Sequence, residues 1–483
     1  MPHAPAPTHT PAPAAPRPPA SAGWFPQLLL RLHFLAGLFV GPFILVAALS
    51  GAVYAVAPSV ERVVYAHELT APATATTLPL ADQVSAAEEY VDRRHPGDTV
   101  TEVRPAPAAG TTTRVMFTED GLAESTTRAV FIDPGTAEVR GDLPVYGTSG
   151  SLPFRTWVST VHRSLLLGDV GRLYSETAAS WLGIVSLAGI ALWTARVRRA
   201  RRKRELVVPD NRARGYRRTF SWHAATGVWV LLGALFLSAT GITWSHFAGD
   251  NVTAIRSALS WQAPAVDTAL GGAAANGAGT GGGHGEHAGH HGSEAEPAAT
   301  ADVTPDQFDT VLSAARGADI DAAEVRIHVP TASDQAWTVE ESKQTWPVAM
   351  DAVAVDARDA QVVSEVRWAD YPLMAKAAKL GVNTHMGVLF GLANQVVLVL
   401  AALGIAAMVV FGYVMWWQRR PAGARVGRAP AAGALARAPG WGLAVVALVA
   451  AFLGVLLPTV GVTLLLFLLV DAAVVTAGAS RAR

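Results

Sequence analysis

The sequence predicts a polytopic α-helical membrane protein with a duplicated four-helix transmembrane core, two extracytoplasmic α+β modules and a C-terminal helical hairpin. Three observations lead there. About half of the 483 residues (51%) are hydrophobic and only 16% are charged, too apolar a balance for a soluble chain of this length. Several uncharged runs reach the roughly 20 residues that a helix needs to cross a bilayer core. The chain also aligns with itself, histidine on histidine and glycine on glycine.

Residues 1–22, rich in Pro and Ala, read as a disordered cytoplasmic tail. The first apolar run, 32–60, is too long for a signal-peptide core and has no small-residue cleavage site after it, so it stays as an anchor with its span at 28–58. The run 177–195 supplies the second span, within a surface helix and span at 155–196. The run 220–248 supplies the third, bounded at 220–246, and 380–418 the fourth, within a surface helix and span at 376–418. A last uncharged run, 438–470, is interrupted by Pro458 and Thr459 and reads as a hairpin over 440–478. Six crossings result.

Net charge is zero, but its distribution sets topology. Residues 196–218 hold eleven basic side chains against Glu205 and Asp210, which makes the loop 197–218 cytoplasmic. Arg419, Arg420, Arg425, Arg428 and Arg437 mark a second cytoplasmic loop, 419–438. Residues 250–379 carry nineteen acidic and eight basic side chains and belong outside. Both chain ends then lie inside. The chain has no cysteine, so disulfides, thiol relays, iron–sulfur clusters and covalently attached c-type haem are excluded.

Aligning His33 with His223 also aligns Gly37 with Gly227 and Gly51 with Gly241, an H-x3-G-x13-G pattern in both odd-numbered spans. Aligning His162 with His385 matches Gly168 with Gly391, Gly189 with Gly412, Trp193 with Trp416 and Arg196 with Arg419, without a gap. Each unit is a span, an external module, a surface segment with the second histidine, and a returning span. Parallel repeats pack about an axis along the membrane normal, so equivalent residues face each other at one depth. The modules occupy 59–154 and 247–375. Each begins with a helix, 80–93 or 304–315, followed by strand-like runs at 112–117 and 128–132, or at 324–329, 336–340 and 349–355. Residues 270–297, rich in Gly, Ala and His, form an insertion in the second module alone, expected to be disordered.

Four of the fourteen histidines occupy the duplicated positions. Arg31 before His33, and Arg217 with Arg218 before His223, put that pair just under the inner border; His162 and His385 precede the outward ends of spans two and four. The repeat axis pairs His33 with His223 and His162 with His385. Two bis-histidine sites at different depths suit two b-type haems, because neutral imidazole is an axial ligand and a bundle interior encloses a porphyrin away from water. Gly37 and Gly227, one turn after their histidines, would let a flat macrocycle approach the backbone. Arg31, Arg163, Arg217 and Arg218 suit either propionates or the positive-inside rule. A lone interfacial histidine is more often merely amphipathic; the two-by-two pattern favours ligation. Second-tier metal ligands are His246, whose repeat counterpart is Val56, and the tract His284, His287, His290 and His291, which equally suits an incidental low-complexity segment. Asp471 is expected to reach the inner border.

L-H-F-L-A-G at Leu32, V-H-R-S-L-L-L-G at Val161, W-H-A-A-T-G at Trp222 and T-H-M-G-V-L-F-G at Thr384 resemble the PepSY-associated transmembrane proteins, iron-regulated proteins of the bacterial inner membrane that include ferrisiderophore reductases. The two external segments look like PepSY domains, and the resemblance covers about 28–420. It implies a four-span di-haem core that passes electrons from the cytoplasmic side to a ferric siderophore or other ferric chelate outside. Some relatives carry a cytoplasmic flavoprotein domain; here the donor would be a separate flavoprotein reductase or quinol. The partners expected are thus the chelate, the donor and membrane lipid, with no nucleic acid. The alternatives are a non-enzymatic membrane-anchored PepSY regulator of an extracytoplasmic peptidase, which would be colourless, and a metal capture or transport protein centred on the histidine tract.

Overall fold

The computed structural model describes residues 23–119, 121–123, 125–198, 207–270, 303–421, 423–424 and 427–481. The N-terminal tail, most of the histidine-rich insertion with His284, His287, His290 and His291, and part of the basic loop lie outside the described residues.

The first apolar run folds as two helices, α1 (Trp24–Phe39) and α2 (Gly41–Val64), joined at Val40. Pro42 explains the break: it has no N–H to give the carbonyl four residues back, that of Leu38. The hydroxyl of Tyr413, from another span, donates to that carbonyl instead. A backbone group in lipid must find such a partner inside the protein.

A short turn of helix, α3 (Ala66–Leu69), leads to α4 (Leu80–Asp92) and a four-stranded meander of β1 (Val100–Arg104), β2 (Thr113–Phe117), β3 (Thr126–Ile132) and β4 (Val139–Tyr146). The chain returns through α5 (Pro153–Ser164), which carries His162, and the span α6 (Gly168–Val197). It crosses back through α7 (Gly215–Thr243) to α8 (Phe247–Ala258), then α9 (Asp306–Gly317) and a second meander of β5 (Val325–His328), β6 (Trp337–Glu341), β7 (Ala352–Asp356) and β8 (Gln361–Val366). α10 (Leu373–His385) ends on its histidine, and α11 (Gly391–Gln418) is the fourth span. The last two helices are α12 (Gly440–Leu456) and α13 (Pro458–Arg481), with Pro458 opening the second, where a missing N–H costs nothing.

The two external segments do not fold apart. β1 pairs antiparallel with β5, so the strands form one eight-stranded sheet in the order β4-β3-β2-β1-β5-β6-β7-β8. Each meander alone would leave a bare edge at its first strand, and joining those edges satisfies both. One sheet face packs on α4 and α9 through Val84, Ala87, Val91, Phe308, Val311 and Ala315. Strands alternate sides, so Arg104, Arg114, Arg326 and His328, neighbours of the core residues Val103, Val115, Val325 and Ile327, point to the other face, toward the bundle.

Below the sheet, α2, α6, α7 and α11 close a ring in which α2 and α7 each pack on both α6 and α11. Among the described residues five helices are long and apolar enough to cross a membrane, and the protein is a polytopic helical membrane protein. α12 is shorter, at 17 residues. Its first turn lies by Trp24, while the carbonyls of Val455 and Leu456 near its end accept from Asn251 of α8. It therefore runs from the far end of the bundle to the sheet side, and α13 returns. Arg31 and Asp471, both buried, form an ion pair that ties α13 to α1 at the far end. Asp471 therefore has a partner in the protein.

Candidate functional site

His33 lies in α1 and His223 in α7, toward the far end of the bundle; His162 closes α5 and His385 closes α10, on the sheet side. Each ring has a hydrogen-bond partner at Nδ1. For His33 it is the carbonyl of Val185 at 3.0 Å, and for His223 the carbonyl of Met408 at 3.2 Å. A carbonyl only accepts, so in both rings Nδ1 carries the proton and Nε2 of the neutral ring keeps its lone pair. For His162 the partner is the hydroxyl of Ser50 at 2.9 Å, and for His385 that of Thr240 at 2.5 Å. Ser50 already donates to the Val46 carbonyl at 2.8 Å, and Thr240 to that of Phe236 at 2.8 Å. With those protons on their own helices, the two oxygens are placed to accept an Nδ1–H. All four histidines thus keep Nε2 for a ligand, held by the outer-sphere bond that fixes tautomer and ring orientation in metal-ligating histidines.

These partners share one spacing. Ser50 follows His33 as H-x16-S, and Thr240 follows His223 as H-x16-T; Val185 and Met408 follow His162 and His385 at x22. Sequence reasoning did not single out Ser50 or Thr240, although they immediately precede the matched Gly51 and Gly241. Two of the matched glycines seat the rings: a Cβ on Gly51 would stand 3.2 Å from Cε1 of His162, and one on Gly189 would stand 3.2 Å from Cε1 of His33.

The rings of His33 and His223 are brought together, with centres 6.2 Å apart and planes at 86°. Two imidazoles sharing one metal through bonds of about 2 Å would have ring centres roughly 6 Å apart, so this pair has the spacing of a bis-histidine site. All four histidines are half-buried rather than sealed in. Next to Gly37 there is open space, whereas next to Gly227 the Met408 methyl already stands where a side chain would go. Among the described residues no group of three or more His, Asp or Glu is gathered to hold a metal.

The other predicted positions lie elsewhere. His246 sits before α8 with its ring 4.6 Å from that of Phe247. Arg31 is committed to Asp471 and to the Pro430 carbonyl, and Arg163 donates to the Tyr146 hydroxyl at 2.6 Å. On the sheet side the ring of Tyr54 stacks with that of His162, centres 6.5 Å apart at 19°. Above it the bundle-facing sheet surface is charged: Arg104 pairs with Glu102, Arg326 with Glu340, and His328 lies between those two carboxylates. Burial works to raise the Glu102 carboxyl, but the charges of Arg104, His328 and Arg326 outweigh it and hold the group below the usual glutamate range.

No curated protein matches the chain. The model of one family does, the PepSY-associated TM region, over residues 30–419. That stretch takes in the four-helix ring, the sheet and His33, His162, His223 and His385, and stops before the α12–α13 hairpin. The chain belongs to the family defined by the PepSY-associated TM region.

Proposed function

We propose that this protein is a transmembrane electron carrier with two b-type haems, reducing the ferric iron of a siderophore or similar chelate on the sheet side. The observation that carries the reading is the shared geometry of the four histidines: each sets Nδ1 against a protein oxygen, which leaves Nε2 for a ligand. When bound, haem at each pair would supply the one-electron chemistry that this cysteine-free chain cannot supply itself.

The protein's own part is to hold and to insulate. His33 and His223 are ligands for the far-side group, and His162 and His385 for the sheet-side group. Val185, Met408, Ser50 and Thr240 orient them, and the apolar flanks of α2, α6, α7 and α11 keep water away. We read the equal spacings as an internal duplication, with the two meanders as PepSY-like modules of an extracytoplasmic dock. The charged bundle-facing surface suits a polar chelate. The basic loops put the far side in the cytoplasm of a bacterial inner membrane, with both chain ends there. The donor is a separate flavoprotein reductase or quinol. It gives up one electron for each ferric ion reduced, and the weaker hold of hard oxygen ligands on ferrous iron releases the metal.

The test is the optical spectrum of detergent-purified protein from haem-replete cells, before and after dithionite. A b-type shift and about two haems per chain are expected. A colourless protein overturns the reading and favours a membrane-anchored regulator.

A further inference from the structure

Where the sheet meets the end of α2, a cavity of about 150 Å³ opens between Glu61 and Arg62 of that helix, Arg114 of β2, the turn Ser149–Gly150 and Arg155 of α5. A water's share of liquid volume is about 30 Å³, so the space is that of roughly five waters or a three- to four-carbon acid. Its wall is cationic. The one carboxylate, Glu61, accepts the backbone N–H of Arg155 at 2.9 Å. A further guanidinium stands behind the wall: a Cβ on Gly150 would come within 2.7 Å of Nη1 of Arg104.

Arg155 is 7% exposed, and its guanidinium lies over the Tyr54 ring, 5.3 Å from the centre, with Glu61 as the neighbouring carboxylate. Nε donates to the Tyr54 hydroxyl at 3.2 Å, while Nη2 is buried with no hydrogen-bond partner. Arg114 faces the ring of Phe131 at 5.4 Å. Burial, and then the charge of Arg104, lower its pKa to about 10, although Glu61, Glu102 and Glu324 pull the other way. A buried guanidinium with unused donors is costly unless an anion meets it, and a planar carboxylate fits its fork with two parallel bonds.

We propose that this cavity is a carboxylate-binding site, with Arg155 and Arg114 as its two recognition residues. Two sources could bring the group. One is a dissolved organic acid or the acid arm of a chelate, arriving from the sheet side. The other is a propionate of a haem held by His162 and His385, because Tyr54 touches both Arg155 and His162. Only the second source rests on the haem reading.

The experiment is calorimetric titration of the full-length protein in detergent with succinate, and with succinamide as the uncharged control. It uses haem-replete and haem-limited preparations whose haem content is measured separately. Succinate is expected to bind haem-free protein and succinamide not. Arg155→Gln and Arg114→Met should each weaken succinate at least tenfold, and Arg155→Lys should keep part of the affinity. The two arginines lie on different elements, so if one variant does not fold the other still decides. A dissolved ligand predicts equal succinate binding with and without haem. A propionate predicts binding only without haem, together with faster haem loss to apomyoglobin from Arg155→Gln. If haem-free wild type binds succinate no better than succinamide, or if the folded variants bind it like wild type, the site does not exist. Absence of haem from every preparation would sink the redox reading and leave the succinate result standing by itself.

Discussion

The hydroxyl oxygen of Thr240 lies 2.5 Å from Nδ1 of His385. Ser50 stands in the same relation to His162, and both oxygens have already spent their protons on their own helix. Thr240→Val keeps the shape and removes the acceptor. Losing such an outer-sphere bond typically costs about 10–100-fold in metal-site affinity. Haem retention in the sheet-side site should fall by that order while the far-side site stays filled, and Thr240→Ser should restore it. Haem-to-protein ratios after dilution into apomyoglobin provide the check; equal loss from both sites would contradict the assignment.

Gly51 and Gly189 each support a different ring. Because His162 is tethered to Ser50 beside Gly51, a methyl group 3.2 Å from its Cε1 must rotate the ring or move α5. Gly51→Ala should therefore shift the spectroscopic signature of the sheet-side centre alone, and Gly189→Ala that of the far-side centre alone. Electron paramagnetic resonance of the oxidised protein resolves the two, and a single variant that moves both signals would argue against separate sites.

Removing one partner of a buried ion pair costs about 3–5 kcal/mol, whereas replacing both by apolar groups is often neutral. Asp471→Ala strands the Arg31 guanidinium, buried between α1 and α13. It should lower the melting temperature in detergent clearly, while Arg31→Met combined with Asp471→Leu should recover most of the loss. A silent Asp471→Ala would mean that the pair does not secure the hairpin.

Glu102 makes the sheet sensitive to acid. Its folded pKa is depressed by Arg104, His328 and Arg326 against the opposing effect of burial. A depressed carboxyl contributes stability that is complete above the ordinary glutamate value of about 4.3 and is lost as pH falls through the lower folded value. Melting temperature should drop on acidification below about pH 4.5, and Glu102→Gln should start lower at neutral pH but fall less steeply. Parallel curves for the two proteins would refute the coupling.

The long apolar helices were legible because uncharged length is a strong local signal, and the self-alignment singled out His33 with His223, whose rings lie 6.2 Å apart. The helices α4 and α9 were legible from their apolar stripes. β1 was not, because Glu102 and Arg104 alternate with core residues and read as a charged loop until the sheet's second, polar face is known. β4 and β8 lie at the two sheet edges, where Pro144 is tolerated and exposed polar residues blur the alternation. The pairing of β1 with β5 could not be read at all, since it joins segments far apart in the chain with no local marker. Nor could the break at Val40 be placed from hydropathy, which does not register the proline's missing donor. The cavity at Arg155 draws its walls from four separate stretches, so its charge becomes visible only in three dimensions.

The pairing of β1 with β5 also limits how a guest can come and go. The sheet yokes the upper ends of both halves of the molecule, so the halves cannot swing apart like jaws without tearing main-chain bonds at the centre. A guest of the cavity at Arg155 would then enter beside the sheet, past the turn at Gly150, without parting the two meanders.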